Sequence, residues 1–538
     1  SRIPAPNIQR SSFDRTHGYK TTFNAGDLVP FYADEVLPGD TFNMRHNIFA
    51  RLATPEVPIM DNMFLDVFYF FVPNRLIWEN WERFNGARDT VGSFIDYEVD
   101  FLVPQVTEPA GGWLVGSLSD YLGLPTEVDN GLSVNSLHHR AYLLIYNDWF
   151  RHQDIQDIIP VPVDDGPDSD SDFMLLKRNK RHDYFTSCLL WPQKGDAIEL
   201  PLGDSAPVYG NGKSLGLTDA SGAFQEFGMY FENVAYLNAG SNYYNVDAGN
   251  DPGSPGTRPG ADEALGVVTS GESGLYADLT AATAATVNQL REAFQMQRVL
   301  EKDARSGTRY TEFLRAHFGV VSPDFRLQRP EYLGGSSTRI IINPVQQTGP
   351  SEDSGGASGT PQGNLAGFGY AADSKNGFTK SFVEHGVILG LVNVRADLTY
   401  QRGIPRMFSR QTRWDYYLPS LAHLGEQAVL QKEIFADGSA GDDLVFGYQE
   451  RWSEYRYFPS QITGKFRSNY ATALDNWHLS EDFATAPTLN NDFIQSDPPV
   501  ERIIAVQDEP HFIFDSYLEL KCARCMPVYS VPGLIDHF

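Results

Sequence analysis

The chain has 538 residues, with 42 Lys and Arg against 69 Asp and Glu, for a formal net charge of −27. So acidic a balance excludes a nucleic-acid coat that works through bulk positive charge, while leaving local basic patches open. A 41% hydrophobic content is enough for a core, 35 Phe and 26 Tyr beside 47 Gly and 33 Pro favour short strands and turns, and three Cys exclude a disulfide framework.

At roughly 100–200 residues per domain the length suggests three domains, although β-rich architectures often run longer as one unit. The opening SRIPAPNIQR has no apolar h-region, so no signal peptide is expected. In FNMRHNIFARL, Phe42, Met44, Ile48 and Leu52 share one parity, and Asn43, Arg45, Asn47 and Arg51 share the other. That period of two predicts a half-buried strand. The run from Met63 to Val72 is almost continuously apolar, broken by Asp66 and bounded by Pro58 and Pro73. It is too short to span a membrane and reads as a strand buried on both faces, or as a subunit contact.

Residues 137–151 (LHHRAYLLIYNDWFR) predict a helix, with Leu137, Ala141, Leu144 and Ile145 on one side and Trp149 extending that face. Asp164, Asp165, Asp168, Asp170 and Asp172 follow, and the charge then reverses at Lys177, Arg178, Lys180 and Arg181. This predicts an exposed acidic loop entering a basic surface segment. Residues 201–280 hold 14 Gly and 10 acids against only Lys213 and Arg258, so they read as a solvent-facing excursion that cannot build a core alone. A helix then carries an apolar stripe (Val287, Leu290, Ala293, Phe294, Leu300, Ala304) beside a basic one (Arg291, Arg298, Lys302, Arg305), with Asp278 or Thr280 as its cap and Gly307 as its stop. Thr348 to Gly369 reads as a loop, HGVILGLVNVRADLTY as a long strand, and Leu518, Leu520 and Cys522 alternate with Tyr517, Glu519 and Lys521 in a last strand. Strand signals at both termini with long material between them imply one β-framework with very long connections.

Motifs for catalysis fail on context. GNGKS at 210–214 has Pro207 where a phosphate-binding loop needs Gly, and GFGYAA at 367–372 reads as a loop rather than a dinucleotide turn. Cys522 and Cys525 have no further ligand pair to complete a zinc site and read as packed thiols. Asp168, Asp170 and Asp172 open like an EF-hand, but Phe173 replaces the required Gly and Asn179 the required Glu. A solvated acidic loop is expected there, with a divalent cation at a subunit contact as the alternative. His138, His139 and His152 lack catalytic-metal spacing, and no nucleophile elbow occurs, so no enzyme and no cofactor is expected. Arg395, Arg402, Arg406, Arg410 and Arg413, interleaved with Tyr400, Phe408, Trp414, Tyr416 and Tyr417, suit single-strand stacking and protein interfaces equally. A β-sandwich carbohydrate-binding protein or glycosidase remains the alternative from another class.

Several long phrases now read together: FARLATPEVPIMDNMFLDVFYFFVPNRLIWENWERFNG, KRHDYFTSCLLWPQKGD, QLREAFQMQRVLEKDARSGTRYTEFLRAHFGVVSPDFRLQRPEYLGG, VILGLVNVRADLTYQRGIPRMFSRQTRWDYYLPSLAHLGEQAV and MPVYSVPGLIDHF. From about residue 8 to the end, outside the Gly/Asp-rich segment, the chain resembles the F-type major capsid proteins of gokushoviruses, in the Microviridae. The resemblance implies a mainly β fold, an eight-stranded viral jelly-roll β-barrel with long inter-strand insertions containing some helices. It implies a body of residues 1–202 and 278–538, and a variable insertion, 203–277, forming a protrusion at the threefold axis that meets a host surface receptor. It implies sixty copies in a T=1 shell, built through pentamers in the bacterial cytoplasm and found in the virion. The partners implied are a single-stranded DNA genome, a small basic DNA-binding protein, a DNA pilot protein and an internal scaffolding protein. Lys177, Arg178, Lys180, Arg181, Arg291, Arg298 and Arg406 are the basic groups expected to face DNA or a subunit interface.

Overall fold

The computed structural model describes residues 9–85, 102–196, 198, 208–210, 217–218, 224–225, 266–267, 275–277, 287–306, 309–319, 321, 326–351 and 359–529. The chain divides into two compact units, residues 1–194 with 301–538, and residues 195–300. The expected protrusion, the caps at Asp278 and Thr280, and the stop at Gly307 fall wholly or mostly outside the described residues.

The larger unit is built on two antiparallel sheets. One contains β1 (Ser11–Asp14), β2 (His17–Phe23), β4 (Thr41–Leu52), β7 (Ile341–Gln346), β8 (Leu365–Ser381) and β12 (Phe512–Arg524); the other contains β3 (Val29–Val36), β5 (Met63–Pro73), β6 (Glu331–Arg339) and β9 (Gly386–Ala396). In the first, β1 and β2 lie along one edge of β12, followed by β4, β8 and β7; in the second the order is β6, β5, β9, β3. Apart from the β1–β2, β5–β6 and β7–β8 steps, consecutive framework strands change sheet, which is jelly-roll topology. The two sheets carry ten strands rather than eight, the additional ones being β1 and β7, and they form a sandwich rather than a closed barrel.

Parity decides the interior. In β4, Phe42, Met44, Ile48, Ala50 and Leu52 are buried, while Arg45, Phe49 and Arg51 face out. In β12, Phe512, Phe514, Leu518, Leu520 and Cys522 point inward. These side chains meet Leu65, Val67, Tyr69, Phe71, Ile388, Val392 and Val394 of the opposite sheet in one apolar core. The second sheet is covered again on its other face. There Phe70, Val72, Leu389 and Leu391 pack on Leu137, Ala141, Tyr142 and Ile145 of helix α1 (Leu137–Ile145) and on Trp78. Burial on both faces is why the stretch from Met63 to Val72 lacks alternation.

Two connections are long: residues 74–330 join β5 to β6, and 397–511 join β9 to β12. The second carries the hairpin β10 (Glu426–Leu430) and β11 (Val445–Glu450), whose Val429 and Phe446 pack with Tyr184, Phe185 and Phe493 in a separate core. Two expectations need correction. GFGYAA is not a loop but the middle of β8, because Gly367 and Gly369 let Pro55 and Leu52 lie where a Cβ would stand, 2.7 and 3.0 Å away. Asp168 is not part of a solvated acidic loop: it accepts 2.8 and 2.6 Å bonds from the fully buried Arg140. No described helix is long and apolar enough to cross a membrane.

Candidate interaction surfaces

The predicted basic residues separate into two kinds. Three are held by acidic partners inside the larger unit. Arg178 donates to Asp66; Lys180 bonds Glu481 at 2.7 Å and lies over the Phe493 ring at 4.5 Å; Arg406 bonds Glu433 and the Ala428 carbonyl, each at 2.8 Å. Burial raises Glu433 and Glu481 above the usual carboxylate range, and Arg406 and Lys180 respectively oppose the rise. The others are open to solvent to different degrees. Lys177 pairs with Asp497 at 2.7 Å and Arg181 lies 3.9 Å from Asp397, both pairs being substantially exposed. Arg291 and Arg298 stand exposed on helix α2 (Val287–Ser306). Of the acidic loop, Asp168 is committed to Arg140, and Asp170 accepts the Trp113 indole N–H at 2.7 Å. Among the described residues, no three His, Cys, Asp or Glu side chains stand together as metal ligands.

Helix α2 has the periodicity of a buried helix without the burial. Of the stripe, Ala304 is buried and Ala293 and Leu300 are half-buried, yet Leu290 and Phe294 are exposed, Phe294 by 64%. An apolar stripe at helical spacing is stable in water only when something covers it.

The 404–458 region opens a larger surface. Phe408 is 73% exposed, Trp414 61% and Phe458 75%, with Tyr416, Tyr417 and Tyr455 also exposed. The rings are held in place. Arg410 bonds Glu454 at 3.4 Å and lies over Tyr455 at 4.3 Å and Tyr416 at 5.4 Å, while Arg413 lies over Trp414 at 5.8 Å. Tyr417 meets Trp452 edge-on at 5.7 Å. Phe408 and Phe458 border a cavity of about 300 Å³ shared with Arg406, Arg410 and Tyr400. Tyr, Trp and Arg on rigid supports are the residue types that carry most binding energy at protein interfaces, and monomers rarely leave so much apolar surface open. Sequence flagged this stretch through its alternating Arg and aromatic residues. It gave no sign of the contribution of Tyr455 and Phe458, which arrive from beyond the β10–β11 hairpin.

A jelly-roll sandwich with rigid aromatic surfaces left open defines a structural subunit whose surfaces are completed by other protein. The chain matches the family model described as capsid protein (F protein) over residues 1–534, and it belongs to that family. It is 48% identical to capsid protein VP1 of Bdellovibrio phage phiMH2K, across 100% of this chain and 98% of the relative. It is 44% identical to capsid protein VP1 of Chlamydia phage 1 and 35% identical to that of Spiroplasma virus 4, each across 99% of this chain and 97% of the relative. The chain is therefore a structural capsid protein of microvirus type, not an enzyme. It assembles into an oligomeric capsid and resides in the virion. The carbohydrate-processing alternative falls with that assignment.

Proposed function

We propose that sixty copies close into a T=1 shell, assembling through pentamers in the bacterial cytoplasm around a single-stranded DNA genome. The observation that carries this reading is the open aromatic and arginine surface around Phe408, Trp414 and Phe458. Closed point-group assembly of one chain needs different patches to meet across its five- and threefold contacts, and a large exposed surface on a rigid insertion suits that demand. The net charge of −27 leaves much of the genome's charge to another chain, which is the role we assign to a small basic DNA-binding protein. A DNA pilot protein and an internal scaffolding protein complete the expected partners. Residues 203–277 form the threefold protrusion and meet a receptor on the host surface. The reading requires no cofactor within the subunit.

The test is assembly of the purified 60.1 kDa chain, followed by light scattering and electron microscopy. Wild-type protein should give shells of about 3.6 MDa, as closed symmetry of sixty copies requires. Phe408→Ser, Trp414→Ala and Phe458→Ser combined should leave the subunit folded by circular dichroism and reduce shell yield at least tenfold, roughly the cost of losing interface hot spots. A wild-type chain that remains a folded monomer both alone and with the internal scaffolding protein added, or a triple variant that assembles normally, would refute the proposal.

A further inference from the structure

A second cavity lies on the outer face of the four-stranded sheet, away from the surface around Phe408. It has a volume of about 550 Å³, within the range of about 300–1,000 Å³ typical of ligand pockets. One wall is aromatic. Phe68 and Phe70 come from β5, Tyr332 from β6, and Trp149 and Phe150 from the wide i→i+5 turn that ends the α1 segment. Trp149 lies 5.4 Å from Phe70 and 6.0 Å from Tyr332, and its indole N–H bonds the Pro330 carbonyl at 2.9 Å, which fixes the ring. Trp149 and Tyr332 are 39% and 43% exposed, and Arg329 lies over the Trp149 ring at 5.3 Å, adding a further cation at the aromatic wall.

The other wall is cationic, formed by Arg178, Arg181 and Arg395. Arg178 and Arg395 share a single buried carboxylate, Asp66. Arg395 Nε sits 2.6 Å from it without hydrogen-bond alignment, and Ser337 donates to the same group. Arg178 also lies over Phe68 at 4.8 Å. Arg181 lies over the Phe64 ring at 5.6 Å and 3.9 Å from the Asp397 carboxylate. Three guanidiniums thus share two carboxylates, Asp66 and Asp397, beside a cleft lined with flat rings. Burial, then the neighbouring Arg178, lowers Arg395 to about 10, as expected of a cation crowded by another cation.

We propose that this cleft takes a nucleotide of single-stranded DNA, with the base against Trp149 and Tyr332 and the phosphate on Arg181 and Arg395. The inference rests on the reading that the shell encloses such a genome, and names one place on the chain where the strand is held. Ring faces accept any base, and guanidiniums bind the phosphate, so no sequence preference is needed.

The test uses the full chain, as subunits and as assembled shells, with a ten-residue oligothymidylate carrying one 5-bromouracil. Photo-crosslinks should map by mass spectrometry to Trp149 or Tyr332. Tyr332→Ala and Arg181→Gln, both at exposed side chains, should each weaken binding about tenfold, the scale of one stacked base or one charged contact. Arg181→Gln should also flatten the salt dependence by about 0.7 in log K against log salt, the single-strand value for one phosphate. Crosslinks mapping elsewhere, unchanged affinity in both variants, or an alternating Glu–Phe peptide occupying the cleft while oligothymidylate does not, would overturn the proposal. If wild-type shells form but the cleft binds no DNA, only this inference fails. If no shells form, the capsid assembly reading fails.

Discussion

The Arg140–Asp168 pair offers a sharp energetic test. Its two side chains are 0% and 2% exposed, and the guanidinium makes 2.8 and 2.6 Å bonds to the carboxylate. Arg140 Nη1 also donates to the carbonyls of Ile77 at 3.0 Å and Asp164 at 2.8 Å. In Asp168→Ala those carbonyl bonds remain, but the charge loses its buried counter-ion. The nearest remaining carboxylate, Asp164 at 3.4 Å, is 75% exposed and well screened. Removing one partner of a buried pair costs about 3–5 kcal/mol, and the surviving carbonyls place this case near the lower end. That is a large share of the roughly 5–15 kcal/mol that stabilises a folded domain. Urea unfolding of the subunit should show the loss, and hydrogen exchange should accelerate at residues 137–145, the helix that Arg140 anchors. Replacing both partners, Arg140→Met with Asp168→Leu, should be more stable than the single variant, because no buried charge is left alone, the remaining deficit being the Ile77 and Asp164 carbonyls that lose their donor. A single variant within about 1 kcal/mol of wild type, or a double variant no better than the single, would refute the reasoning.

Burial, reinforced by neighbouring His138, holds His139 at about 4 against 6.5 for an exposed histidine. Because the folded value is the depressed one, its contribution is complete above pH 6.5 and is lost as the pH falls toward 4, by about 3 kcal/mol. The urea midpoint of His139→Asn should vary less across that window than wild type does. Asp27 works in the opposite direction: burial raises it to about 6 from 3.8, so its contribution is lost as the pH rises through 6, and Asp27→Asn should be relatively stabilised at pH 7. Gly26 adopts φ +91°, and a Cβ there would lie 2.1 Å from the Ser496 carbonyl oxygen, so Gly26→Ala should lower thermal stability by at least about 2 kcal/mol, checked by calorimetry. Deleting residues 203–277 should leave shell formation intact by electron microscopy and abolish adsorption to host cells. Loss of shells in that deletion would place the segment in the assembly machinery instead.

What sequence established here was local and periodic. Alternation in Thr41–Leu52 and Phe512–Arg524 names the inward residues correctly, since a strand's faces alternate wherever it runs. The nearly continuous apolar run in Met63–Pro73 left two readings, a strand covered on both faces or a subunit contact, and the long shared phrases carried the family. Tertiary structure decided what lies far apart along the chain. It gave Asp168 to Arg140, set Arg178 and Arg395 on one carboxylate, and threaded GFGYAA into β8 beneath Pro55 and Leu52. It also left Phe294, on a stripe of helical spacing, and Phe408, among alternating arginines and aromatic residues, open to solvent. The physical reason is that side-chain periodicity records how much of a residue is apolar-facing within its own element. Which charge neutralises which, and which apolar face stays uncovered, depends on where insertions hundreds of residues long return to the sandwich, and no local spacing encodes that.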